Sequence, residues 1–149
     1  MTMQEKPMNI QTLRILWAGM FISQIIFGYV LDTTIKQAGP NTAEVNPQFL
    51  TIFGLLGALA YITAIILPKG LIKAAKQNLT PSASLEEILK VYTPAFIVRL
   101  ALFEACTLFG FGLAFLHKDP SLFMPFVTLS MFGFFMNFPK EEKIRTMMK

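Results

Sequence analysis

The chain has 149 residues, of which 54% are hydrophobic, 13% aromatic and only 15% charged, against a usual charged share of about 25%. That is one domain by length, with too little charge to cover a water-facing surface. The net charge of +4 sits around long apolar blocks, which points to membrane topology and not to nucleic acid. A single cysteine, Cys106, and a single histidine leave no disulfide framework, thiol pair or zinc site.

Four apolar blocks follow in chain order, roughly 13–31, 49–67, 92–116 and 122–138. Each has about 17 to 25 residues, the range a spanning helix needs. None alternates polar with apolar as a barrel strand would. The first block is too long for the apolar region of a secretory signal and ends at Asp32 without a small-residue cleavage site, so it reads as a retained signal-anchor helix. The expected fold is all-α: a polytopic membrane protein with four transmembrane helices.

Lysines and arginines set its expected orientation. Lys6, Arg14, Lys69, Lys73, Lys76, Lys90, Lys140, Lys143, Arg145 and Lys149 fall on one side, and only Lys36 and Lys118 on the other. The excess places both termini and the middle loop in the cytoplasm, and the chain in the cytoplasmic (inner) membrane. Gly39-Pro40 and Asn46-Pro47 mark an irregular outer loop; His117 to Pro120 is a very short one that makes the last two helices a hairpin.

The middle loop shows more order. Residues Lys69 to Gln77 read as a short amphipathic helix near the membrane surface, its lysines toward anionic headgroups. Thr80-Pro81 breaks it. Ser84 and Glu87 have the spacing of a capping box, so the third helix is expected to begin near Leu85 and to kink near Pro94.

In lipid, helices associate through small residues and hydrogen bonds. The second helix offers Gly54, Gly57, Ala58, Ala60 and Ala64, with Gly54 and Ala58 on one face and Ala60 and Ala64 on another; the third offers Ala101, Ala105 and Gly112. These surfaces are expected to meet other helices of the chain or a partner subunit. Trp17, Tyr29 and Tyr92 read as an aromatic belt. Met124, Met131 and Met136 read as soft packing.

Two ionisable residues interrupt the third apolar block, Arg99 and Glu104. A charge at bilayer depth costs at least about 2.5 to 3.5 kcal/mol. Arg99 lies about 6 Å into the apolar core and can snorkel to the headgroups; Glu104 lies about 14 Å in and cannot. Five residues apart, the two do not form an i, i+4 pair. Gln24 at about 16 Å depth and Ser130 at about 12 Å lie near the level of Glu104. With Ser23 and Tyr61 they outline a candidate polar cluster: Glu104, Gln24, Arg99, Ser23, Ser130 and Tyr61. Its two readings are a hydrogen-bonded clasp between helices and an exchangeable proton or ion site. His117 is expected in the outer loop. No haem ligand pair, nucleophile elbow, phosphate loop or metal motif is visible.

The stretch from Arg99 through Glu104 and Gly110 to Ala114 resembles the carboxylate-bearing helix of rotary ATPase proteolipid subunits, in which a glutamate is followed by small residues and a glycine. The resemblance implies that Glu104 carries a proton or sodium ion, although four-helix proteolipids bear their carboxylate on an even-numbered helix. Small multidrug exporters carry a glutamate on helix one, where this chain has Gln24. Over its length the chain resembles small uncharacterised four-helix membrane proteins of bacteria, through the opening Leu13 to Trp17, the helix with Arg99 and Glu104, and the closing Asn137, Phe138 and Pro139. That likeness implies a fold and no activity. The expected function is a non-enzymatic membrane protein without cofactor, an accessory or assembly component of a membrane complex; the alternative is proton or ion translocation by Glu104. Expected partners are lipid, anionic headgroups at the cytoplasmic face, and other membrane subunits or a second copy.

Overall fold

In the computed structural model, residues 9–39, 46–77, 79–80 and 83–148 are described. Lys6, Pro40, Pro81 and Lys149 lie outside them. The elements are all helical: α1 (Ile10–Ala38), α2 (Pro47–Lys76), α3 (Leu85–His117), a 3-10 turn (Pro120–Phe123), α4 (Met124–Met136) and α5 (Glu141–Met148). Helices α1, α2 and α3 are each long and apolar enough to cross a membrane; the 3-10 turn and α4, joined to α5 across a bend of 82°, raise the number to as many as four.

Local chemistry sets the helix starts. Asn9 caps α1 by accepting from the Gln11 N–H at 3.0 Å, and Asn46 caps α2 from Gln48 at 2.9 Å, ahead of Pro47. The capping box of α3 forms on both sides: Glu87 N–H donates to the Ser84 hydroxyl at 3.3 Å, and Ser84 N–H donates to the Glu87 carboxylate at 2.7 Å. These bonds satisfy backbone donors that the first turn leaves without intrahelical partners. At the other end of α3, Lys118 adopts a left-handed φ of 51°. Asp119 then accepts from Ser121 N–H at 2.9 Å and starts the turn into α4.

Two helices run past their expected ends. α1 continues seven residues beyond Leu31. Its polar end satisfies itself, with Thr34 donating to the Val30 carbonyl at 2.7 Å and Lys36 pairing with Asp32 at 2.6 Å, while Leu31 and Ile35 keep one face buried. The surface helix expected over 69–77 is not a separate element: it is the last part of α2, which passes through Pro68 without a break. A proline inside a helix forfeits one backbone bond. Here the ring is buried and Ile72, one turn on, is in the core, so tertiary contact carries the helix onward. α3 likewise runs unbroken through Pro94.

Contacts along the helices fix their directions. Ser23 meets Glu104 and Phe27 meets Phe111, so α1 and α3 run parallel. Phe49 meets His117 and Tyr61 meets Phe103, so α2 opposes α3. Phe126 meets Gly110 and Asn137 meets Arg99, so α4 opposes α3 as well. α3 touches every other helix and is the most buried; 44% of its apolar window is inside, against 11% for α1 and 17% for α2. Most aliphatic residues of α1 and α2, among them Ile15, Ile25, Leu55, Leu59 and Ile66, point outward. Inside, aromatic and small residues pack with a smaller set of aliphatic ones, such as Leu13, Leu31, Leu100 and Leu113. That inversion suits a molecule whose solvent is hydrocarbon.

Close approach falls on two of the expected glycines, Gly57 and Gly112, and on two more, Gly110 and Gly133. Phe126 of α4 lies between Gly57 of α2 and Gly110 of α3, so near that a Cβ would come 2.5 Å from its ring at Gly57 and 2.4 Å from its Cβ at Gly110. Phe103 of α3 lies on Gly133 of α4 in the same way, at 2.5 Å. Ala60 and Ala64 do line the buried seam of α2, but Ala58 and Ala101 are exposed, and a Cβ on Gly54 would meet nothing. Tyr92 is no belt residue: it is buried, its ring stacked on Phe96, whereas Tyr29 is exposed and Trp17 donates to the Phe134 carbonyl at 2.9 Å. Met124 and Met136 face outward, and only Met131 packs inside.

Candidate functional site

The core divides into two apolar clusters. One holds Leu13, Phe96, Leu100, Phe103 and Phe134; the other holds Leu31, Ala114, Phe123 and Val127. Between them, at the middle of the bundle, lie three fully buried polar side chains: Gln24 from α1, Thr107 from α3 and Ser130 from α4. Gln24 Oε1 accepts from the Thr107 hydroxyl and, at 3.2 Å, from that of Ser130, which also lies 2.7 Å from the Phe103 carbonyl. One amide oxygen thus ties three helices. Gln24 Nε2 is buried with no partner among the described residues.

Glu104 stands beside this layer but outside it. It is half-buried, and its Oε1 accepts from the Ser23 hydroxyl at 2.8 Å. That hydroxyl is also 2.7 Å from the Met20 carbonyl, so a single proton serves both contacts. Among the described residues no cation pairs with the carboxylate. Gln24, expected beside Glu104, turns instead to Thr107 and Ser130.

Arg99 departs most from expectation. Its side chain ends in a cleft within the bundle and not on the outer surface. It is 7% exposed, and its Nη1 donates to Asn137 Oδ1 at 2.9 Å, while Asn137 Nδ2 donates to the Gly133 carbonyl at 2.7 Å. The guanidinium thereby locks α3 to the end of α4, and it lines a cleft between α2 and α5 together with Lys69 and Lys143. It turns inward because that cleft is open to it and Asn137 supplies an acceptor.

Of the six candidate residues, then, Gln24 and Ser130 join directly, Ser23 and Glu104 form a neighbouring pair, and Arg99 is elsewhere. Tyr61 is elsewhere too, its ring against Phe103 at 5.5 Å. Thr107 and Asn137 were missed. Thr107 falls at the level of Gln24, but a threonine in a helix ordinarily satisfies itself on its own backbone and leaves no sequence signal. Asn137 is 38 residues from Arg99, and no local spacing announces that pair. His117 closes α3, half-buried, with its ring 6.3 Å from that of Phe49.

Chemically, the layer can hold helices in register. It offers no nucleophile with an adjacent base, and no group of three or more metal-ligating side chains exists among the described residues. No family model, curated protein or solved structure matches the chain.

Proposed function

We propose that the chain is a non-enzymatic membrane protein with four spans, an accessory or assembly component that receives a further membrane helix on the open face of α3. The observation carrying this reading is Glu104. It is a half-buried carboxylate with one shared hydroxyl partner, on a stripe formed with Ile97, Ala101, Ala105 and Leu108. Ile97, Ala101 and Leu108 are exposed. Small residues let another backbone approach, and an intramembrane carboxylate calls for a polar partner. The buried layer, by contrast, is occupied with its own helices.

Four spans follow if the 3-10 turn and α4 cross as one element. Their 17 residues (120–136) reach about 28 Å, close to a ~30 Å core, when the first turn rises at the 3-10 rate. Positive charge supports a cytoplasmic placement of one end. Arg14, the lysines late in α2, Lys90 and the residues of α5 belong to the bundle end where α1 begins, α2 ends and α3 begins. Only Lys36 and Lys118 mark the other. This supports the cytoplasmic membrane with both termini inside.

A photo-crosslinking residue at Ala101 or Leu108, in cells, is expected to capture a different membrane protein, and one at Phe132 on α4 is not. Glu104→Gln keeps a hydrogen-bonding partner and is expected to keep the capture; Glu104→Leu is expected to lose it. The proton-carrier alternative, favoured by the partial exposure of Glu104, predicts instead crosslinks to a second copy and loss of proton flux in vesicles with Glu104→Gln. Capture at Ala101 and Leu108 no better than at Phe132 refutes the assembly reading.

A further inference from the structure

The cleft beside Arg99 has a composition that the clasp and the open face of α3 do not explain. Its volume is about 350 Å³, at the small end of ligand sites. Ala64, Ile65, Ile72, Phe103 and Met147 make its apolar wall, and Arg99, Lys69 and Lys143 its charge. No acidic side chain lines it. Glu141, the first residue of α5, is engaged with Arg145 at 2.9 Å. Arg99 has a neutral partner only, the Asn137 amide, and among the described residues no carboxylate pairs with it. A nearly buried guanidinium without a counter-charge is expensive in an apolar bundle. The bend into α5 adds to the imbalance: Lys143 is anchored by donating to the Met136 carbonyl at 2.8 Å, which holds a second cation on the cleft.

We propose that this cleft binds the headgroup of an anionic phospholipid. The phosphate would take the counter-ion position opposite Arg99, between Lys69 and Lys143, where a planar guanidinium offers paired donors to phosphate oxygens. The start of one acyl chain lies along Ile65, Ile72 and Met147. Three cations and an apolar wall at the cationic end of a helix bundle form the kind of basic interhelical pocket that takes anionic headgroups. The proposal rests on the membrane placement given above and not on the partner helix. Its test uses the purified chain alone, so failure of either reading is visible separately.

The full chain in a neutral detergent is mixed with equal amounts of phosphatidylglycerol and phosphatidylcholine, and native mass spectrometry counts the lipid retained. One phosphatidylglycerol is expected to be retained in preference to phosphatidylcholine. Lys69→Gln with Lys143→Gln removes two rim cations, both exposed, without entering the core. At roughly fivefold for each surface cation, the pair is expected to weaken retention by about 30-fold. Arg99→Gln is expected to abolish the preference; if that variant does not fold, the double lysine variant decides alone. Equal retention of both lipids, or an unchanged preference in the lysine variant, overturns the proposal. So does displacement of the lipid by millimolar inorganic phosphate, which would make the cleft a site for the free ion.

Discussion

At the scale of single residues, packing outweighs polar bonding in this bundle. Hydrogen bonds between membrane helices contribute only about 0.6 kcal/mol on average. The Gln24 oxygen is well used, but its Nε2 has no partner among the described residues, and a buried unsatisfied donor costs about 1–3 kcal/mol. The two effects offset. Gln24→Leu is therefore expected to change the unfolding free energy by less than about 1 kcal/mol, since Ser130 keeps the Phe103 carbonyl. Gly110→Ala is expected to cost more, about 1–3 kcal/mol, because its Cβ would fall 2.4 Å from the Phe126 side chain, where no atom can sit. Denaturation in mixed micelles measures both. A larger loss from Gln24→Leu than from Gly110→Ala would invert this ranking and make the polar layer the main fastening.

At the scale of elements, α5 is the least independent helix. It has eight residues, too few to be stable alone. Ile144 is 1% exposed in the main cluster, and Met147 packs against that cluster. Ile144→Ala is expected to release α5 and not to unfold the bundle. A weakening of about 2 kcal/mol, at the low end for such truncations, raises the undocked fraction up to about 30-fold. Hydrogen exchange should accelerate over 141–148 and stay slow in α3; faster exchange in both would show that α5 is part of the cooperative core. The elements differ in how legible they were from sequence. The start of α3 was readable because a capping box is a local pattern, and Ser84 and Glu87 make it as spaced. The end of α2 was not, because a proline argues for a break and only the burial of Ile72 overrides it. α5 was hidden among tail charges; its marks, Glu141 paired with Arg145 and the spacing of Ile144 and Met147, are too short to stand out. The site followed the same division. Depth alone brought Gln24 and Ser130 to one level, but depth says nothing of azimuth: of the neighbours it offered Glu104 only Ser23 bonds to it, and it gave no hint that Arg99 joins Asn137.

At the scale of the molecule, α3 is the shared surface on which the others assemble, and α1 and α2 make little contact with each other. The placement of charge then gives a direct test of orientation. Cys106 is buried, so the native cysteine is expected to stay silent to a membrane-impermeant maleimide. In intact cells Lys118→Cys is expected to label and Lys73→Cys to remain unlabelled until the membrane is opened. The reverse pattern would turn the protein over, and labelling of both from outside would refute four crossings.

The polar layer also sets a clock on biosynthesis. Thr107 and Ser130 follow Gln24 in the chain by 83 and 106 residues. At roughly 5–20 residues per second, Ser130 is translated about 5 to 20 s after Gln24. During that interval Gln24 lacks first both hydroxyl partners and then the second, with almost nothing of α2 for α1 to lean on, so the first helix waits as an unfinished part until the last one arrives.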